Sequence, residues 1–445
     1  MLQVFRLRRF RLRRFTAAVM APCVMSGAFV LTQGAPAWAA TTSGCPHGAT
    51  PTSAQLNATT GVTTKTINVS NISIISGPVP GLFQGAPYGA EAYFAYLNSK
   101  GGVHGRTIVM DSQDDGFSGT QNQADTAAAV THSFALVGSF SLFDNFSCKV
   151  LADNPAMPDV SATLDPGTNS LPNVFSPQPI DQGGSMAGYL HLKKLYPKAI
   201  GHTASLVSNV ETAIAQWHGQ EAAMKHAGWK FGYVRYISPL ESNFTADVLN
   251  MKKKGIEAVM LSAGTSGVYA ALVKEMNQQN FHPKVVVSNG PIYDNSFVKS
   301  AGGTKNTSGI WLIQALSLYL GQDAKSTPSV KTFNTWMAKT HPGFKIDLFT
   351  VFGWASAQLF AQALQASGDH PTRGKVLAAL KKINSFSASG LIAPANPAKK
   401  IPPNCVLFAR ITNGHFGRVK PTPTKGWDCS QPYYSIHGAL PKVSP

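Results

Sequence analysis

Acidic side chains are scarce in this 445-residue chain: 21 Asp and Glu stand against 38 Lys and Arg, a formal net charge of +17. Cysteine is limited to five residues, and no two are spaced C-x-x-C, which removes the commonest zinc and redox patterns. There is no H-E-x-x-H pair, no glycine-rich loop ending in Lys-Ser or Lys-Thr, and no G-x-G-x-x-G after a strand. Gly183-Gly184-Ser185-Met186-Ala187 misses the nucleophile elbow because Ala187 stands where its last glycine belongs, and it reads as a helix start. Asp111 to Gly116 imitates a calcium loop, but Gln113 weakens it and Asn122 replaces the twelfth-position glutamate, so a turn between strand and helix is the plainer reading. No cofactor or metal is expected, and no motif argues for an enzyme. The lysines are scattered, and Lys252 to Lys254 sit on a solvated helix face, so the basic stripe with interleaved aromatics that nucleic acid requires is missing.

What is present begins with a leader. Arg6, Arg8, Arg9, Arg11, Arg13 and Arg14 precede an apolar stretch over 15–31, and Ala37 with Ala39 offers a cleavage site after Ala39. Pro22, Ser26 and Gly27 interrupt the stretch, which falls short of the roughly 20 apolar residues of a spanning helix. Thr42 stands where a lipobox before Cys45 needs an aliphatic residue. Residues 1–39 are therefore expected to be a signal peptide, and the product a soluble periplasmic or extracellular protein. Loss of six arginines lowers the net charge from +17 to +11. The remaining 406 residues exceed one ordinary core and fit two domains. Four cysteines remain, an even count that favours disulfides in an exported chain. Cys405 and Cys429 bracket an expected hairpin, and Cys45 with Cys148 would tie the N-terminal segment to the body, so these two pairs are the disulfide candidates.

After a loose lead-in over 40–63, short β-type runs alternate with helical stretches, the pattern of mostly parallel sheets covered by helices. Strands are expected over 66–75, 106–110 and 134–137, then over 203–207, 231–237, 258–261, 284–287 and 309–312. Ala86, Ala90, Tyr93, Phe94 and Leu97 form one buried helix face, and Phe352, Ala355, Leu359, Phe360 and Ala363 another. Further helices are expected over 212–226, 244–254 and 267–280. A hairpin is expected over 406–418, turning at Asn413-Gly414. The two βαβ series look like two similar halves with a cleft between them.

Open parallel sheets bind ligands at the C-terminal ends of their strands. Those ends read Ser76-Gly77, Gly138-Ser139-Phe140-Ser141, Ser208-Asn209, Ser262 to Ser266 and Ser288-Asn289-Gly290. Hydroxyls, amides and free N–H groups recur in both halves, a chemistry suited to a carboxylate or other polar head. Such residues also populate any loop, so a capping role stays open beside the binding role.

The stretch ending Ile75-Ser76-Gly77-Pro78, the run Asn98-Ser99-Lys100-Gly101-Gly102-Val103-His104-Gly105-Arg106 and Asp114-Asp115-Gly116 together closely resemble the branched-chain amino-acid-binding family of type I periplasmic solute-binding proteins. The resemblance covers most of the mature chain. It implies a two-lobed α/β Venus-flytrap with three crossings, lobe 1 over 64–178 and 316–400 and lobe 2 over 179–315 and 401–445. It also implies an extracytoplasmic ABC-transporter receptor that captures an amino acid or related small polar solute and is recognised by a membrane permease. A ligand sensor acting with a receptor, or an exported hydrolase, are the alternatives. Family contacts fall near Ser139, Ser141, Ala162 and Thr163 in lobe 1 and near Asn209, Thr265, Asn289 and Tyr293 in lobe 2, and Ser76 at the first strand end is a further ligand candidate. The aromatic residue expected near Glu211 and the tyrosine near Thr265 are missing. Asn289-Gly290-Pro291 replaces the acidic residue that would meet an α-ammonium, although Tyr293 and Asp294 lie close by.

Overall fold

The run of Ile, Val and small residues that begins at Thr66 forms β1 (Thr66–Ser73), whose second half is buried throughout, as befits a central parallel strand. With β2 (Thr107–Asp114), β3 (Leu136–Val137), β4 (Asp159–Val160) and β5 (Val174–Phe175) it makes a five-stranded parallel sheet in the order β2-β1-β3-β4-β5. These elements belong to a computed structural model that describes residues 45–420 and 426–443. The leader expected over 1–39 lies outside those residues.

Beyond the first sheet, β6 (Gly183–Ser185) introduces the helix Met186–Leu195. Next come β7 (Thr203–Ser208), β8 (Phe231–Ile237), β9 (Ala258–Leu261), β10 (Val285–Ser288) and β11 (Trp311–Gln314), all parallel. The hairpin of β12 (Leu407–Thr412) and β13 (His415–Lys420) adds on antiparallel, giving the order β13-β12-β11-β10-β9-β7-β8. Its two-residue turn has both Asn413 (φ 51°) and Gly414 (φ 77°) in the left-handed region, which Asn-Gly tolerates best. Finally β14 (Tyr433–Ser435) returns to pair with β6. Both expected cysteine pairs are bonded, Cys45 to Cys148 and Cys405 to Cys429, with Cα atoms 5.7 and 4.1 Å apart.

Helices cover each sheet. The expected amphipathic pair, Gly85–Asn98 and Leu348–Ala366, packs together beside the first sheet although the two are over 200 residues apart in sequence. Two glycines let the backbones approach: a Cβ on Gly89 would collide with the Thr350 carbonyl, and one on Gly353 with that of Ala86. The chain thus passes between the sheets three times, after β5, after β11 and before β12. One reading is corrected. Asp111 to Asp114 does not turn but continues β2, and the turn follows at Asp115 to Ser118 because Asp114 Oδ1 accepts from Ile75 N, Ser76 N and Gly116 N at the strand end. Among the described residues, no helix is long and apolar enough to cross a membrane.

Candidate functional site

The loop after β3 decides which side chains face the cleft. After the left-handed turn at Gly138 (φ 71°) the chain runs beside β1, with Phe140 bridged to Ser73, and neighbouring side chains point in opposite directions. Ser139 Oγ accepts from Ile72 N (3.0 Å), and Ser141 Oγ donates to Asp115 Oδ2 (2.5 Å), so both hydroxyls turn into the body of lobe 1. Phe140, between them, turns the other way and meets Phe83 and Phe349 with ring centroids 4.7 and 4.9 Å apart. Phe352 lies 5.9 Å from Phe140, completing a four-ring wall.

Behind that wall lies a small internal cavity of about 20 Å³, lined by Ser139, Ser141, Asp144, Asp159, Ser161 and Thr163 among others. Its acids are enclosed, and burial raises each of them. Asp144 is pushed up to about 8, with Asp165 adding to the effect, and Asp159 to about 6 despite the hydrogen bond from Ser161. Asp115 is raised as well, by burial first, against the hydrogen bonds from Ser141 and Asn122. Asp144 accepts from Leu164 N and Asp165 N, so it orders the loop after β4.

In front of the wall, a much larger cavity of about 780 Å³ opens between the two sheets. Lobe 1 contributes the loop Val79 to Phe83, Phe140, Leu142, Ala162, Thr163 and Leu164, with Phe349 and Phe352 from the helix Leu348–Ala366. From the other side come Ser208, Thr212, Thr265, Asn289 and Tyr293, together with Tyr189, Gln216 and Gln220. Pro402, Pro403, Val406 and Tyr433 close it from the C-terminal segment.

Of the residues expected to touch a ligand, Ala162, Thr163, Thr265, Asn289 and Tyr293 come together on this cavity. Ser76 and Asn209 are exposed outside it, and Ser139 and Ser141 line only the small cavity behind. Thr265 Oγ1 caps the helix Ser266–Gln278 by accepting from Val268 N. Tyr293 is 1% exposed, and its hydroxyl donates to Gln322 Oε1 (2.5 Å) and accepts from Leu320 N (3.2 Å). Burial raises that hydroxyl well above the usual tyrosine range, so it stays protonated. Neighbouring Asp294 Oδ1 is held by Ser296 N and Phe297 N.

The residues that sequence reasoning missed are the apolar ones: Val79, Leu82, Phe83, Phe140, Phe349 and Leu142. Their signal was available as an aromatic residue set between two inward serines, but it is silent until the strand phase is known. Two further contacts concern the relation of the lobes. Thr212 Oγ1 donates to the Leu142 carbonyl (3.2 Å) and Asn145 Nδ2 to Glu211 Oε2 (3.1 Å), both across the cleft. At the crossings, the Gln178 amide donates to the carbonyls of Ala315 (2.9 Å) and Ala393 (3.1 Å), joining all three connecting segments. Among the described residues, no cluster of three His, Cys, Asp or Glu side chains is placed to hold a metal ion.

This architecture has known counterparts. A family model described as periplasmic binding protein matches residues 66–415. A Leu/Ile/Val-binding protein homolog from Brucella suis is 23% identical over 323 residues, 67% of this chain and 77% of the relative. Among solved structures, a fatty acid ABC transporter substrate-binding protein from Thermomonospora curvata superposes with a TM-score of 0.69 at 17% identity, covering 81% of this chain and 92% of the other. A branched-chain amino acid ABC transporter protein from Thermus thermophilus with bound valine gives 0.68 at 16% identity, covering 80% and 96%.

Proposed function

The chain belongs to the periplasmic binding protein family, and from that premise we propose that it is the extracytoplasmic substrate-binding component of an ABC transporter. It captures a small solute between its two lobes and presents it to a membrane permease. The observation that carries this reading is the cavity of about 780 Å³ walled by the strand ends of both sheets, within the range typical of small-molecule sites. A ligand touching both walls favours the closed arrangement by its differential affinity for it. The contacts Thr212 to Leu142 and Asn145 to Glu211 would form in that closed state, and Gln178 would hold the crossings together as a hinge.

Support for the lobe boundaries at about 178, 315 and 400 comes from the three passages of the chain between the sheets. The leader over 1–39 would direct export and be removed after Ala39, leaving a protein that binds without turnover. Ligand contacts would come from Ala162, Thr163, Thr265, Asn289 and Tyr293 and from the phenylalanine wall. A thermal-shift screen of the mature protein across amino acids, amides, polyols, aromatic acids and aliphatic acids tests the reading. A solute at a hundred times its dissociation constant stabilises the folded state by about 2.7 kcal/mol. A melting temperature unmoved by every class would remove the binding role.

A further inference from the structure

Resting on that binding role, we infer that the cleft is built for an elongated, apolar-bodied solute that carries no ammonium group, with its tail running into the interior of lobe 2. The cavity does not stop at the strand ends. Leu192, Trp229, Met260, Val287, Ile313 and Val406 line the same space, and all belong to the apolar core of the second sheet, none more than 8% exposed. These six come from the helix Met186–Leu195, from β9, β10 and β11, and from the segments before β8 and β12. An apolar arm therefore reaches past the β6–β14 ladder toward the face of the second sheet. Space left beside core side chains forfeits their packing contacts, and an apolar tail restores them.

Several polar groups on the inner walls are engaged with protein. Gln220 Nε2 donates to the Tyr189 hydroxyl (3.1 Å), Ser262 Oγ donates to Gln220 Oε1, and the Tyr433 hydroxyl donates to the Asp181 carbonyl (2.8 Å). Among the described residues, no lysine, arginine or histidine lines the cavity. Its three carboxylates serve the backbone: Asp347 accepts from Thr350 N (2.9 Å), Asp294 from Ser296 N and Phe297 N, and Asp181 from Gln182 N (2.6 Å). A zwitterionic amino acid would bring two charges against the phenylalanine wall with no dedicated counter-ion, a costly burial. A molecule with a single oxygen-bearing head brings at most one charge, and the hydroxyl and amide rim at Ser208, Thr265 and Asn289 offers it hydrogen bonds.

The test is calorimetric titration of the mature protein with butanoate, octanoate, dodecanoate, dodecan-1-ol, leucine and valine, each below its aggregation limit. The expected result is one site per chain, affinity rising about threefold to fourfold per added methylene until the arm is full, and leucine and valine at least a hundredfold weaker than dodecanoate. Val406→Trp, which narrows the arm, should weaken dodecanoate at least tenfold more than it weakens butanoate. The chain-length series on the unaltered protein decides the matter if that variant does not fold. Tight leucine or valine binding, or affinity independent of chain length, overturns the proposal while leaving the binding role intact. Failure of all six probes together with a silent thermal-shift screen sinks both.

Discussion

The two cavities share a wall at Ala162 and Thr163 and differ in almost everything else. The one behind holds about 20 Å³ among serines, threonines and raised aspartates, room for about one water molecule. The one in front holds about 780 Å³ against phenylalanine, leucine and proline. Hydroxyls that read as ligand contacts in the sequence organise the loops from behind, and the side chains between them line the large cavity. The polar side is thus a support for the apolar one: Asp144 and Asp159 on the small cavity, with Asp115 hydrogen-bonded to Ser141, hold the loops after β2, β3 and β4, and the loop after β3 presents Phe140 and Leu142.

The contrast can be broken most forcefully at Phe140, which is 5% exposed at the centre of the ring cluster. Phe140→Ala should lower the unfolding free energy by about 3–5 kcal/mol in urea titration. A loss under about 1 kcal/mol would mean the wall is not packed as described. Acidity comes next. Burial raises the folded-state values of Asp144 (about 8), Asp159 (about 6) and Asp347 (about 6) above the unfolded carboxyl value of about 3.9. Each group therefore binds its proton more tightly when folded, and its stabilising contribution is complete below about pH 4 and lost as pH rises through the folded value. Unfolding free energy should fall between pH 4 and pH 8, by up to about 1.4 kcal/mol per pH unit for each titrating group. Asp144→Asn should flatten the profile between pH 6 and pH 8, and an unchanged slope there would contradict the assignment. Lys400, lowered by burial to about 8, acts above this window.

A smaller effect is expected at Ser141, whose hydroxyl donates to buried Asp115. Ser141→Ala should cost about 2 kcal/mol, the range for a hydrogen bond to a charged group, and should leave ligand affinity within threefold if the serine acts only from behind. A tenfold loss in affinity at unchanged stability would return Ser141 to the binding site. The smallest change is at Thr163, whose Oγ1 is buried with no hydrogen-bond partner among the described residues. Thr163→Val should be neutral or stabilising by up to about 1 kcal/mol in the same titration. A loss of that size would show that the hydroxyl has a partner, such as a water in the polar cavity.

Much of this architecture was legible in the sequence. Alternation of β-branched runs with amphipathic stretches located most strands of both sheets, and Asn413-Gly414 located the hairpin. The two-residue strands β4 and β5 were missed because Asp159–Val160 and Val174–Phe175 are too short to show a period, and β6 because Gly183-Gly184-Ser185 has no β propensity and pairs only when the chain end returns to it. The cleft was legible as a place and only half as chemistry. Residue type alone favoured Ser139 and Ser141, and only the direction of the chain after β3 shows that Phe140 is the one on the large cavity. Nor does any local pattern show that Leu192, Trp229 and Val406, each a good core residue, line one open space.

The central claim is that a solute sits in the large apolar cavity and spans both lobes. A crystal structure of the mature protein grown with the tightest ligand from the titration tests it most directly. The account predicts ligand density against Phe140, Phe349 and Trp229, with the small cavity behind Ser139 and Ser141 unchanged. Ligand held by Ser139 and Ser141, or confined to one lobe without contact to the other, would contradict it.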